Sequence, residues 1–305
     1  MKSKIQNIPA SIQARLQNKA GEIGQSYNEI LQYYGMERFL YRLSKTPHVN
    51  DFILKGGLMF YGLGIPMRRT TRDIDFLGIS ENAQRDILSV FRDALAVPFP
   101  DDGILFDEKT LQISETRVEN DQGGVRVTFM GRLGKMRIPV QVDVGFSDEL
   151  ASQTLNIDYP VILAGMEKPR LRGYPPESII SEKFYAMFRF ADANSRWKDY
   201  YDIYLLAETF EFESHALANA IRSTFGNRPA ELEDQIPFGL RESFAVSKQD
   251  EWNLFLQKAK LSNDSIKDLT MVVNRIWHFL EYPIHEVLLG EKLPVKKWER
   301  DKGWK

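Results

Sequence analysis

One segment, KGGLMFYGLGIPMRRTTRDIDFLG at residues 55–78, constrains the fold of this chain more than any other. A short apolar strand runs into the Gly56-Gly57 pair, and the segment ends in a second strand that contains Asp73 and Asp75. Because successive side chains of a strand point to opposite faces, the two carboxylates share one face and the apolar residues between and after them face a core. The segment therefore predicts a sheet with a paired acidic site near a glycine turn.

Each half of this pattern has an ordinary explanation. An Asp-x-Asp strand is commonly a solvated face or a partner for nearby arginines, and Gly-Gly commonly makes a plain strand-to-helix turn. The alternative is that the two carboxylates share a divalent cation such as Mg²⁺, which prefers hard oxygen ligands, while the glycines let the backbone approach phosphate. The occurrence of both elements about sixteen residues apart is a more specific signal of such a site than either element alone. Together they resemble the signature of the nucleotidyltransferase superfamily, which has a polymerase-β-type core.

A third carboxylate is expected from a neighbouring strand. In IPVQVDVGFSD, residues 138–148, alternating valines predict a strand in which Asp143 leaves the apolar face. Asp143 is alternatively an exposed strand acid. Asp148 and Glu149 follow Gly145 and are expected in a loop.

The amino-acid composition excludes several classes of catalytic and metal site. The chain has no cysteine and four scattered histidines, which excludes thiol nucleophiles, Fe–S clusters and cysteine zinc sites. Its net charge of −2 excludes a bulk polycation, so any nucleic acid must bind to local basic patches. Carboxylates, lysines and arginines are left to carry the chemistry. No stretch approaches the roughly 20 apolar residues of a membrane span, and we expect a cytoplasmic protein that does not bind membranes.

The chain is expected to form an α/β lobe with N-terminal helices at residues 1–170 and a mainly helical lobe at residues 171–305 that completes the active site. Hydrophobic spacing predicts helices at 10–46 (interrupted near 21–25), 58–63, 82–95, 177–190, 197–208, 214–225, 250–260 and 265–281. Alternation predicts strands at 52–55, 73–77, 111–119, 125–133 and 137–146.

A second charged cluster lies in YPPESIISEKFYAMFRFADANSRWKDYYDIYLL, residues 174–206. Asp199 and Asp202 are three residues apart and so share a helix face, where Lys198 could pair with Asp202. Ordinary charged helix faces explain such pairs equally well. The neighbouring Tyr200 and Tyr201 are expected to pack rather than to stack on bases.

These segments together resemble the AbiEii/AbiGii toxin family, the nucleotidyltransferase-like toxins of abortive-infection and type IV, MenAT-like toxin–antitoxin systems. The resemblance covers about residues 37–206, through GG…RRTTRDIDF, QVDV and EKFYAMFRF…KDYYDIY in that order. It implies an α+β fold, with a polymerase-β-like mixed-sheet core and a C-terminal helical lobe.

The resemblance also implies roles for individual residues. Those implied in nucleotide binding are Gly56, Gly57, Arg68, Arg69, Thr71, Arg72 and Lys183. Those implied as ligands of a two-Mg²⁺ site are Asp73, Asp75 and Asp143. Those implied in catalysis are Asp73, Asp75, Lys183 and Asp199. Where the family has one basic residue before the Ser/Thr position, here three arginines flank the acidic pair.

The implied reaction is Mg²⁺-dependent transfer of NMP from an NTP to RNA, with the tRNA 3′ end as the favoured acceptor and blocked translation as the result. The implied partner is a cognate antitoxin, often a DNA-binding repressor. The alternatives are a non-catalytic nucleotide- or nucleic-acid-binding protein on the same fold, and transfer to a protein or small molecule.

Candidate RNA-binding cations are Arg126, Arg132, Lys135 and Arg137, and a C-terminal cluster of Lys292, Lys296, Lys297, Arg300, Lys302 and Lys305 with Trp298 and Trp304. A solvated tail is the alternative for that cluster. Sequence does not predict the oligomeric state or the NTP base.

Overall fold

The computed structural model describes residues 7–66, 71–79, 86–117, 123–146, 154–190, 195–226, 232, 235–261, 266–290 and 293–305. The chain divides into two compact units, Met1–Tyr174 and Pro175–Lys305. Among the described residues, no helix combines the length and apolar character needed to cross a bilayer.

The first unit is built on a mixed sheet flanked by helices. Its elements are α1 (Ile8–Ile23), α2 (Tyr27–Leu43), β1 (Phe52–Lys55), α3 (Gly56–Gly62), β2 (Ile74–Gly78), α4 (Ile87–Ala96), β3 (Ile104–Arg117), β4 (Gly123–Leu133), β5 (Met136–Phe146), β6 (Leu155–Asp158) and β7 (Arg170–Gly173), with short 3₁₀ turns at Pro47–Asp51 and Pro100–Asp102.

The seven strands lie in the order β3-β4-β5-β2-β1-β7-β6. The β2–β5 and β1–β7 pairs are parallel and the other neighbours are antiparallel. The predicted α+β fold with a mixed-sheet, nucleotidyltransferase-like core is therefore confirmed.

Aromatic packing fixes one face of this sheet. The Phe39 ring of α2 lies 5.4 Å from the Phe91 ring of α4 and 4.9 Å from the Phe129 ring of β4. Val142 and Val144 of β5 are fully buried on the same face. Alternation along β5 therefore turns Asp143 to the opposite face, which leaves that face available for a polar site.

The second unit is mainly helical. Its elements are α5 (Pro176–Phe190), α6 (Trp197–Thr209), β8 (Phe212–Glu213), α7 (Ser214–Gly226), α8 (Glu242–Lys258), α9 (Leu269–Leu289), β9 (Lys297–Glu299) and β10 (Gly303–Trp304), with a 3₁₀ turn at Phe238–Leu240. The three short strands form a small sheet in the order β10-β9-β8.

Several predicted boundaries differ from the structure. β3 begins at Ile104 rather than at 111, because its pairing with β4 shifts register between Asp107 and Gln112 and the alternation is interrupted there. α8 and α9 begin at Glu242 and Leu269 rather than at 250 and 265. The strands β6 and β7 were not predicted, since their sequences, LNID and RLRG, lack the apolar run that marks β1. The predicted start of the helix at residue 82 lies outside the described residues, and Asp86 caps the part that is described.

The C-terminal segment is folded rather than a solvated tail. Trp298 is fully buried and its Nε1 donates to the Ala207 carbonyl at 2.8 Å. α9 contains Pro283, which cannot donate to the Phe279 carbonyl four residues earlier. Trp304 Nε1 donates to that carbonyl at 2.9 Å, and the Trp304 ring stacks on the Phe279 ring. Both tryptophans therefore have structural contacts, and the alternative of a solvated tail is wrong for residues 293–305.

This arrangement predicts a stability effect that depends on the proline. Trp304→Phe keeps the ring stacking but removes the donor, so the free energy of unfolding should fall by about 1 kcal/mol. Pro283→Ala supplies a helical N–H to the Phe279 carbonyl, so Trp304→Phe should cost less in that background. Denaturant titrations of the four variants of this cycle measure both values. An equal cost in the two backgrounds would contradict the proposed hydrogen-bond substitution.

Candidate active site

Three carboxylates converge on the polar face of the first unit's sheet. Asp75 of β2 and Asp143 of β5 are direct neighbours in the parallel ladder, and Asp73 lies two residues before Asp75. One carboxylate oxygen from each of the three lies within 4.8 Å of the other two. The structure thus brings together the three acids that the sequence predicted as metal ligands.

The donor set fits a divalent cation. All three carboxylates are half-buried, so their mutual repulsion is screened less than on an open surface. Hard oxygen ligands at this mutual spacing are those that Mg²⁺ takes in proteins. The acid triad could therefore bind a metal ion.

Arg126 of β4 compensates part of this negative charge. Its Nε and Nη2 donate to the two carboxylate oxygens of Asp143 at 2.7 and 2.8 Å, and Gln141 Nε2 donates to Asp143 at 3.3 Å. The hydrogen bonds to Asp143, with smaller contributions from Asp73 and Asp75, raise the pKa of the Arg126 guanidinium. The sequence placed Arg126 on a general RNA-binding surface, whereas the structure places it on the third carboxylate.

The glycine pair is required by a close approach to these acids. Gly56 has a φ of +66°, and a Cβ on it would lie 1.9 Å from Asp75 Oδ2. A Cβ on Gly57 would lie 2.4 Å from Thr71 Oγ1. Thr71 is buried, and its N–H donates to the Tyr33 hydroxyl at 2.9 Å. The turn after β1 is thus packed directly against the acidic strand.

Gly56→Ala should therefore disturb the acids as well as the turn. Positive φ costs an L-residue roughly 1–2 kcal/mol, and the new methyl must also displace the Asp75 carboxylate. We expect Mn²⁺ affinity, measured by isothermal titration calorimetry, to fall about 10- to 100-fold, as for other changes that misorient a metal ligand.

Gly64→Ala is the matched control for this substitution. Gly64 also has positive φ, at +83°, but a Cβ on it would meet no atom within 4 Å. It should lose similar stability and keep its Mn²⁺ affinity. Equal Mn²⁺ affinities for the two alanine variants would contradict the role of close packing against Asp75.

The arginines that precede the acids are only partly described. Arg68 and Arg69 lie outside the described residues, and Arg72 is exposed immediately before Asp73. Asp148 and Glu149 also lie outside. Of the predicted RNA-binding cations in the meander, Arg132 pairs with Asp107 at 3.5 Å.

The second unit holds a buried ion cluster of its own. Lys183 Nζ of α5 lies 2.6 Å from Asp199 and 2.9 Å from Asp202 of α6, and both carboxylates are 1% exposed. Arg196 adds a second cation to Asp199 at 2.6 Å. Burial raises the pKa of Asp199, but Lys183 and Arg196 outweigh it and hold this pKa below its usual range.

This cluster refines the sequence interpretation of α6. Asp202 pairs with Lys183, whereas the expected partner Lys198 is exposed. Tyr200 and Tyr201 are buried, which confirms that they pack. The spacing of Asp199 and Asp202 was visible in the sequence, but their shared cation comes from another helix.

Comparisons with known proteins identify a family. A sequence model of the family described as "Nucleotidyl transferase AbiEii toxin, Type IV TA system" matches residues 38–281, past the end of the resemblance at 206. Two solved structures are similar at 16% identity, each over 88% of this chain: JHP933 from Helicobacter pylori (94% of that chain, TM-score 0.49) and an H. pylori protein described as a candidate nucleotidyltransferase (97%, TM-score 0.47). No curated protein matches.

Proposed function

The chain belongs to the AbiEii nucleotidyl transferase toxin family, and from this premise we propose that it transfers NMP from an NTP to a hydroxyl of RNA. The favoured acceptor is the 3′ end of tRNA, whose modification would block translation. The convergence of Asp73, Asp75 and Asp143 beside the glycine turn carries the proposal. Membership of the family implies a nucleotide substrate and a cognate antitoxin; that this antitoxin is a DNA-binding repressor is part of the proposal.

In this proposal the first unit binds the reacting groups. Asp73, Asp75 and Asp143 would hold two Mg²⁺ ions, which when bound supply charge neutralisation at the attacking and leaving oxygens. Gly56 and Gly57 would contact the triphosphate through their backbone.

The surrounding side chains orient those groups. Thr71 packs under Gly57 and fixes the turn, and Arg126 holds the Asp143 carboxylate through two hydrogen bonds. The exposed Arg72, with Arg68 and Arg69, would meet phosphate oxygens.

Residues of the second unit take the roles of the family's last motifs. Lys183 would neutralise charge on the triphosphate, and Asp199 and Asp202 would hold its ammonium group in place. A lysine held between two buried carboxylates has lost most of its rotamer freedom before the nucleotide binds.

The transfer itself needs positioning rather than covalent chemistry from the protein. The acceptor oxygen forms a bond to the α-phosphorus as the bond to the bridging oxygen breaks, and pyrophosphate leaves. The hydroxyl proton passes to water.

The test is a transfer assay with each α-³²P-labelled NTP in turn, Mg²⁺, and total RNA or purified tRNA. We expect label on RNA with at least one NTP, released from the 3′ end by exonuclease. Label on protein alone would overturn the RNA acceptor. No label with any of the four NTPs would overturn transfer and favour a non-catalytic binding protein.

A further inference from the structure

A cavity lies on the first unit beside the acid triad. It has a volume of about 740 Å³ and is formed by the start of α2, the residue before Asp73, and the strands β3, β4 and β5. Its lining includes Gln32, Arg72, Gln112, Thr128, Met130 and Gln141. This volume is within the range of pockets that hold one small organic group.

Two residues of the cavity lining adjoin the acid triad. Gln141 lines the cavity and lies two residues before Asp143, so both side chains leave the same face of β5. The Gln141 amide also donates to the Asp143 carboxylate at 3.3 Å. Arg72, at the cavity, directly precedes Asp73.

The order of the strands places the cavity on one side of the acids. The glycine turn follows β1, the acids stand on β2 and β5, and the cavity extends over β5, β4 and β3. The triad thus lies between Gly56-Gly57 and the cavity along the sheet. With the departing phosphates at the glycine turn, an in-line attack brings the acceptor oxygen from the cavity side.

The lining suits a nucleoside better than a polyphosphate. Gln32, Gln112 and Gln141 contribute neutral amides. The Gln32 amide donates to the Pro139 carbonyl and the Gln141 amide to Asp143, and since each amide has two N–H groups and an acceptor oxygen, further groups can still pair with a base edge or a ribose hydroxyl. Met130 and Pro139 add apolar surface against which a ring can pack. A triphosphate would instead require a concentration of cations, and the described lining includes two cations, Arg72 and Lys109, and one acid, Glu29.

We propose that this cavity binds the terminal nucleoside of the acceptor RNA and presents its ribose hydroxyl to the acid triad. The proposal rests on the proposed transfer reaction and extends it by assigning the acceptor a subsite. A nucleoside could also come from the donor NTP; the strand order favours the acceptor.

Gln112→Trp tests the assignment by filling the cavity. Gln112 is exposed on the edge strand β3 and faces Thr128 across the ladder, so an aromatic side chain there should be tolerated by the fold. The matched control is Leu105→Trp, on the same strand at a position that is 75% exposed and outside the cavity lining.

The readout is fluorescence anisotropy without NTP, so it does not depend on turnover. The probes are a hairpin RNA with a single-stranded 3′ end and the same RNA whose last nucleotide lacks its base. The wild-type protein and Leu105→Trp should each bind the intact RNA about tenfold more tightly than the RNA that lacks its last base, as expected when the protein holds one base. Gln112→Trp should bind both RNAs equally and bind NTP as the wild type does.

Two results would overturn the proposal. Equal wild-type affinity for the two RNAs would remove the terminal nucleoside from the cavity. Weaker NTP binding by Gln112→Trp, with the RNA preference retained, would assign the cavity to the donor. If the wild-type protein transferred label to RNA but did not prefer the RNA with its terminal base, the assignment of the cavity would be wrong and the transfer reaction would stand. If the protein preferred the RNA with its terminal base but transferred no label, the proposed transfer reaction would be wrong and the assignment of the cavity to a nucleoside would stand.

Discussion

Asp75→Asn should lower the rate of nucleotidyl transfer by about a thousandfold. Asp75 stands between the other two acids, beside Asp143 in the ladder and two residues after Asp73. Metal-assisted charge stabilisation is worth several kcal/mol, and about 4 kcal/mol corresponds to a thousandfold in rate. The amide keeps the shape of the carboxylate, so the close contact with Gly56 is preserved. The free energy of unfolding should therefore stay the same or rise, because one like charge is removed.

The measurements are the labelled-NTP assay, Mn²⁺ binding by calorimetry, and thermal unfolding. Asp158→Asn is the matched control, because Asp158 is an exposed acid of the same sheet that pairs with Arg170 at 3.1 Å. It should leave transfer and Mn²⁺ binding unchanged. If Asp75→Asn kept wild-type label on RNA, the metal site would be wrongly assigned even though the fold is right.

The acid triad shows how far local patterns reach. The alternation of valines around Asp143 predicted the face of its side chain, because strand periodicity is local. That β5 lies next to β2, with Asp143 beside Asp75, is a long-range pairing that no window of sequence contains. The resemblance to a family supplied the grouping of Asp143 with Asp73 and Asp75, whereas the residue pattern alone left open whether Asp143 is a third ligand or an exposed acid.

The pairing of Arg126 with Asp143 is different, since it can be predicted from the sequence. The Gly134-Lys135 turn predicts a two-residue hairpin, and such a turn fixes the register of its strands. Counting seven residues back from Leu133 and seven forward from Met136 pairs Arg126 with Asp143, as the structure has it. The turn itself is recognisable in the sequence, and the missed signal was the register that it fixes. By contrast, the role of Pro283 and Trp304 depends on a contact between chain segments that sequence spacing cannot reveal.

Lys183→Met should destabilise the second unit by about 3–5 kcal/mol, the usual effect of breaking a buried ion pair. It leaves the Asp199 and Asp202 carboxylates, each 1% exposed, one cation short. Transfer should also fall by about 10²–10³-fold, as when one preorganised electrostatic group is lost. Lys198→Met is the matched control, since Lys198 is exposed on α6, and it should change neither quantity. Lys183→Arg keeps the charge and should recover much of the stability, while its planar fork should recover less of the activity.

The pH dependence of this cost separates its electrostatic origin from lost packing. In the wild type the pKa of Asp199 is lowered, because Lys183 and Arg196 outweigh the effect of burial. A lowered pKa contributes stability above the ordinary carboxyl pKa, near 4, and that contribution disappears as pH falls through the folded-state value. The stability lost in Lys183→Met should therefore be largest at neutral pH and should shrink as pH falls below the ordinary carboxyl pKa and Asp199 takes up a proton. If the loss of stability in Lys183→Met were constant between pH 7 and about pH 3, the methylene chain of Lys183, rather than its charge, would stabilise the unit. An ammonium group with no electrostatic contribution would then be a poor candidate for neutralising the triphosphate.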